Sequence, residues 1–219
     1  MIYIEKQREV PAEFRDAVQG LSSYEDLPRD EKTTVIKILL EEQGGLCAFC
    51  EQKSDAFGPT IEHFLPQSVF PHLQLDYHNL CIICNKCNNL KGAQLIPAYI
   101  FDPRMDPVQV ASKEVPLPRF VFGDGACKVV VPDPKKGDAS FRWSAFILDG
   151  TLELMEQNRP RLTKARQEVY LTFLESISKL PKATLEKKWA VYQVLPKNAP
   201  HDEFFSLRCQ LLKQALKIR

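Results

Sequence analysis

The sequence predicts an α+β fold in which a small strand–strand–helix module, stapled by a four-cysteine zinc site, sits between N-terminal helices and a C-terminal helical extension. Three observations predict it. Cys47-x-x-Cys50 and Cys84-x-x-Cys87 are two close thiol pairs with 33 residues between them, and such pairs close on one metal from tight turns to give tetrahedral structural zinc. Between the pairs lie two short β-prone stretches, with a polar helical stretch after them. Outside that region apolar residues recur at helical spacing.

Each element can be justified in order. IYI at 2–4 reads as a short strand, and Pro11 followed by AEFRDAVQG reads as a helix with proline in its first turn and Gly20 ending it. From Pro28 a second helix carries Asp30 and Glu31 in its first turn, spaces Val35, Ile36, Leu39 and Leu40 on one face, and stops at Gly44-Gly45. TIEHFL at 60–65 alternates Ile61, His63 and Leu65 against Thr60, Glu62 and Phe64 until Pro66 ends the strand. Asn79 to Ile83 is a second strand, and CNKCNNLKG from Cys84 fits one or two helical turns ending at Gly92. Seven prolines from Pro97 to Pro134 forbid helix through much of the next stretch, where RFVFG and CKVVV predict a hairpin around Gly123-Asp124-Gly125. FRWSAFILDG and TLELM (141–155) read as an edge strand or turn, before three helices at about 160–179, 181–194 and 202–218. The segments are therefore 1–44 helical, 45–102 the metal module, 103–156 a proline-rich connector separating two bodies, and 157–219 a basic helical region.

Composition narrows the class. With 44% hydrophobic and 26% charged residues the chain is an ordinary globular protein rather than a disordered one. No apolar run approaches the roughly 18 residues of a membrane span, and MIYIEKQREV is too charged for a signal peptide, so a cytoplasmic protein is expected. In a reducing compartment the seven cysteines point to metal ligation rather than disulfides. Cys81-x-x-Cys84-x-x-Cys87 offers two possible second pairs; Cys84 and Cys87 are preferred because Cys81 lies inside the apolar run LCIIC. Cys127 and Cys209 stand alone and read as small buried hydrophobes. A net charge of only +1 argues against uniform coating of nucleic acid, yet residues 157–219 hold 13 Lys+Arg against 5 Asp+Glu, while residues 1–156 hold 16 against 23. That asymmetry suits a tail that faces phosphate or an acidic partner, and also a solvated helical surface.

The chemistry lies between the thiol pairs. Four thiolates saturate a structural zinc, so catalysis would need another ion. Glu62 is a hard oxygen ligand suited to Mg²⁺ or Mn²⁺, His63 beside it can take a proton from water near neutral pH, and Asn88 could offer an amide oxygen to the same ion. Lys91, one turn beyond Asn88, either binds a phosphate oxygen or caps the helix. His78 is a loop residue that could reach substrate phosphate; His72 and His201 read as surface residues. Arg159, Arg161, Lys164 and Arg166 could track a nucleic-acid backbone or dock an acidic partner, whereas Trp189 and Tyr192 read as a packed helix face rather than a base-stacking platform.

Glu62-His63-x-x-Pro66, Asn79-Leu80 and Cys84-x-x-Cys87-Asn88-x-x-Lys91-Gly92 together resemble the zinc-bound HNH endonucleases, whose shared element is the ββα-metal fold. The resemblance covers about 46 residues in order, Cys47 to Gly92. It implies that His63 is the general base, that Glu62 and Asn88 hold a catalytic divalent ion (Mg²⁺ or Mn²⁺), and that Asn79 fixes the loop and His63. Glu at the position before the base, where Asp or His is commoner, and Asn rather than His at the last position leave the metal preference open. CAFCE, IEHFLP, Asn-Leu and C-x-x-CN-x-x-KG, with a helical extension of this length, look most like the HNH subunit of Septu-type and retron-associated anti-phage systems. That resemblance implies an ABC-type or SMC-like ATPase partner and a nucleic-acid target, DNA or, for retron-linked members, tRNA. A non-catalytic zinc-stapled adaptor and a rubredoxin-like thiolate protein are the competing classes.

Overall fold

The computed structural model describes residue 4 and residues 6–54, 58–91, 119–123, 126–130, 159–194 and 202–217. Its centre is a two-stranded antiparallel hairpin of β1 (Pro59–His63) and β2 (Leu80–Cys84), followed directly by helix α3 (Asn85–Lys91). Strand, strand and helix therefore come in the expected order. The register sets Glu62 opposite Cys81 and His63 opposite Leu80.

β2 explains why its sequence, LCIIC, is apolar without interruption. Successive side chains of a strand point to opposite faces, and here each face meets its own core. Leu80 and Ile82 join Ile61 in a cluster with Phe14, Ala17, Leu27, Val35, Ile38, Leu39 and Tyr77. Cys81 and Ile83 enter a second cluster that runs through Leu46 to Cys50 and on to the C-terminal helices. A strand walled on both sides has no solvent face to mark with polar residues.

The first core is built by α1 (Ala12–Val18) and α2 (Arg29–Glu42), which pack on each other and, through α2, on the hairpin. Gly20 has φ +74°, the left-handed geometry that ends the first helical stretch. The buried positions of α2 are Val35, Ile38 and Leu39; Ile36 and Leu40, expected on the same face, are only partly buried against it. Just past α2 the buried side chain of Gln43 closes the open edge of β2: its Nε2 donates to the Leu46 and Ile82 carbonyls at 2.8 Å each, and its Oε1 accepts from Ile82 N at 2.6 Å. Ile82 N faces away from β1 and would otherwise be buried without a partner, while Ile82 O also accepts from Ala48 N at 3.0 Å.

The second core takes in the β3–β4 hairpin (Arg119–Gly123 and Ala126–Val130) and helices α4 (Pro160–Ser178), α5 (Lys182–Val194) and α6 (Phe205–Leu216). β4 packs on α4 and β3 on α6, and Gln210 bridges α6 to both backbone groups of Phe120. The hairpin read from sequence as part of a connector is thus inside the core that joins the cysteine region to the basic helices. Trp189 and Tyr192 pack against that core, with Tyr192 stacked on Phe205 at 5.2 Å. The proposed strand at 2–4, the elements at 141–155 and His201 lie, wholly or for the most part, outside the described residues. Among the described residues no helix is long and apolar enough to cross a membrane.

Candidate metal centre and adjoining polar site

Cys47, Cys50, Cys84 and Cys87 bring their sulfurs within 4.8 Å of one another, all buried. A tetrahedron with metal–sulfur bonds near 2.3 Å has sulfurs about 3.8 Å apart, and Cys50 Sγ to Cys84 Sγ is 3.8 Å. The donor set therefore fits a structural zinc. Cys81 is buried but outside the cluster, as its place in the apolar run suggested. Hydrogen bonds from Cys47, Cys50 and Cys87 hold the Cys84 thiol below its ordinary pKa despite burial, which favours a thiolate there.

Each pair is shaped by local backbone. Glu51 N donates to Cys47 O and Cys47 N to Gln52 O, curling the first pair into a tight loop that turns at Glu51 with φ +62°. The second pair straddles the end of β2 and the first turn of α3, and Cys84 N donates to Cys47 Sγ at 3.3 Å. The loop is then bolted to the far end of the chain. The Glu51 carbonyl accepts from Phe204 N at 3.0 Å, and its carboxylate accepts from Ser206 N at 2.8 Å in the first turn of α6. A carboxylate at a helix N-terminus satisfies an orphan donor and complements the helix dipole. Arg166, read from sequence with its neighbours as tracking a nucleic-acid backbone or docking an acidic partner, is instead buried beneath the rings of Phe120 and Phe204. Burial lowers its pKa to about 10 even with Glu51 nearby. Arg161 and Lys164 on α4 are exposed, and Arg159 caps that helix half-buried. Cys127 is fully buried and Cys209 partly so; burial pushes the thiol of Cys209 up to about 12.

The polar site sits on the last two residues of β1. Because neighbouring side chains alternate faces, Glu62 and His63 diverge. Glu62 is buried and ion-paired with Lys91 of α3, and Lys91 also donates to the His63 carbonyl at 3.2 Å. Lys91 is therefore inside the protein, 1% exposed, where sequence had suggested a phosphate contact or a helix cap. Burial raises the Glu62 pKa, and the Lys91 cation works against that rise. Asn88 lies one turn before Lys91 on the same helix face and is half-buried. Glu62 is one oxygen donor that a hard cation could use, and its present counter-charge is Lys91.

His63 is 8% exposed. Its Nε2 lies 2.9 Å from the Gln74 carbonyl, an acceptor only, so Nε2 carries the proton and Nδ1 is left with its lone pair. The Tyr24 ring stands perpendicular to the imidazole at 4.9 Å between centroids. Burial lowers the His63 pKa; the Gln74 carbonyl opposes this and Lys91 adds to it, so the balance favours the uncharged ring. Asn79 ties the loop between the strands: its Oδ1 accepts from Leu65 N at 2.8 Å, and its Nδ2 donates to the carbonyls of Leu65 and Leu73 at 3.0 and 3.1 Å. His78 is exposed beside it, its ring edge-on to Tyr77. Gln43, Gln74 and Tyr24 have no motif or periodicity to announce them, and Glu51, though it ends the CAFCE motif, gives no local sign of its bond to Ser206; each acts on a partner distant in sequence.

No protein-family model matches this chain. It is 38% identical over 56 residues, a quarter of its own length, to the Septu protein PtuB of Bacillus thuringiensis, and the matched region spans 22% of that protein. What the geometry and the similarity establish together is a buried four-cysteine cluster of zinc-site dimensions in a chain with local similarity to a Septu protein.

Proposed function

We propose that this chain is a metal-dependent HNH-type endonuclease, with a ββα-metal module as its catalytic element, and an effector of an anti-phage defence complex that includes an ATPase. The observation that carries the reading is His63, its Nε2 held on the Gln74 carbonyl, beside the buried Glu62 on a hairpin and helix that carry the four-cysteine cluster. An adaptor needs the cysteines but has no use for an oriented imidazole. The local similarity to a Septu protein supports the defence role.

In this reading His63 Nδ1 takes a proton from water as the water oxygen attacks phosphorus; the P–O bond to the leaving oxygen breaks, and that oxygen is protonated from solvent. Glu62 and Asn88 would hold a divalent ion, Mg²⁺ or Mn²⁺, which would supply charge to polarise the phosphate and neutralise the leaving oxygen. Asn79 keeps the loop closed over the imidazole. Lys91 balances the Glu62 charge in the absence of the ion. The exposed Arg161 and Lys164 supply a sequence-independent attraction for phosphate or an acidic partner face.

The test is cleavage of plasmid DNA and of tRNA by the zinc-loaded chain, alone and with its co-purifying ATPase, in Mg²⁺ or Mn²⁺. His63→Ala should abolish cleavage while the chain stays folded and keeps its zinc; cleavage unchanged by that substitution removes the enzymatic reading. One observation favours an adaptor instead: Glu62 is already paired by Lys91. If wild type cleaves neither nucleic acid but still binds one of them, the adaptor stands.

A further inference from the structure

The loop that meets His63 is gripped from two sides. From within the module, Asn79 holds Leu65 and Leu73. From outside it, the N-terminal segment holds Gln74: Tyr24 N donates to Gln74 Oε1 at 3.1 Å, and Gln74 Nε2 donates to Ser22 O at 3.2 Å. The same Gln74 presents its carbonyl to His63 Nε2, and the same Tyr24 sets its ring against the imidazole. Gln74 and Tyr24 thus each touch both the clamp and the histidine.

The clamp is itself well held. Tyr24 begins a single 3-10 turn, Tyr24–Asp26, whose start is closed by Ser23 and Asp26 capping each other. Lys32 of α2 places its ammonium 4.8 Å from the Tyr24 ring centroid. An imidazole on a strand end has freedom about its side-chain torsions and can flip to exchange its two nitrogens. A fixed carbonyl at one nitrogen and an aromatic wall across the ring remove both freedoms.

We propose that Gln74 and Tyr24 are positioning residues that hold His63 in the Nε2–H tautomer with Nδ1 presented as the base, so the segment around residues 22–24 is part of the site although it lies outside the strand–strand–helix module. The effect on rate rests on the endonuclease reading above; the effect on the imidazole does not. The side chain of Gln74 fixes where its own carbonyl stands, and Tyr24 acts through its ring face.

The test separates the two dependencies. In the full-length zinc-loaded chain, two-bond ¹H–¹⁵N correlation spectra, with His63 assigned by His63→Asn, should show a single Nε2–H tautomer for wild type and for Tyr24→Phe. Gln74→Ala and Tyr24→Ala should show exchange-averaged nitrogens. On a cleavable substrate kcat should fall about tenfold in Gln74→Ala and Tyr24→Ala with KM within about twofold of wild type, the mark of misplacement rather than lost binding, and Tyr24→Phe should recover the rate. An unchanged His63 tautomer in both alanine variants overturns the proposal whatever the rates. So does a Tyr24→Phe variant as slow as Tyr24→Ala, which would put the role in the hydroxyl. If wild type cleaves nothing, the endonuclease reading falls, and the nitrogen spectra still decide the positioning.

Discussion

The four-cysteine cluster and the His63 site share one hairpin but draw their rigidity from opposite sources. The cluster is held by its own chemistry, four like donors converging within 4.8 Å, so that one ion would lock two chain segments at once. The His63 site has no comparable centre. Its imidazole is fixed by a carbonyl from the loop, a ring from the N-terminal segment and the strand it stands on. A metal centre is robust to changes around it, whereas a site built from neutral hydrogen bonds and one ring contact is only as firm as each neighbour.

The largest effect that separates them is metal removal. Structural zinc contributes on the order of 10 kcal/mol to small metal domains, so chelation, or Cys87→Ser, should dissolve the core that joins Leu46 to Cys50 with the C-terminal helices, read as loss of helical circular dichroism. Cys81→Ser, at a buried position outside the cluster, should leave zinc content at wild-type level. If instead it releases zinc, the choice of ligands is wrong.

Next come the polar pins. Asn79→Ala removes three side-chain hydrogen bonds and Gln43→Ala another three. Each should cost roughly 2–4 kcal/mol in urea denaturation, a sum of modest bonds plus groups left unsatisfied. The two should also differ in kind: Asn79→Ala should disturb the His63 nitrogen spectrum, and Gln43→Ala should not.

The smallest effect is on pH dependence. His63 has its pKa lowered in the folded protein, so below the ordinary value of 6.5 the unfolded chain takes up a proton that the native state resists. Stability from this group is present above pH 6.5 and declines as pH falls through the native pKa. His63→Asn should flatten the part of the stability profile that falls as pH drops below 6.5, while Glu62, raised rather than lowered, contributes the opposite slope above its ordinary 4.5.

What could be read from sequence follows the same division. The thiol spacing and the strand–strand–helix order were legible because each is a local pattern: a fixed offset, an alternation, a helical period. The LCIIC run was legible as a strand, though not as a wall between two cores. Lys91 shows where local reading stops. Its spacing from Asn88 placed it correctly on the helix, but only the fold of α3 over β1 decides that it points inward at Glu62. Arg166 failed in the same way, since a cation in a basic stretch gives no sign of the two phenylalanine rings that cover it. Gln43, Glu51, Gln74 and Tyr24 act through partners such as Ile82, Ser206 and His63, and no window along the chain contains both ends of those contacts.

The bond between Glu51 and Ser206 spans 155 positions, and this sets an order on biosynthesis. All four zinc ligands leave the ribosome while α6 is still unmade, so the nascent chain can load metal early. Until α6 arrives, the wall from Leu46 to Cys50 lacks the part of its cover that Leu207, Leu211 and Leu212 supply. A metal-bound chain not yet joined by α6 is a form that chaperones would meet, and docking of α6 is the step that completes this core.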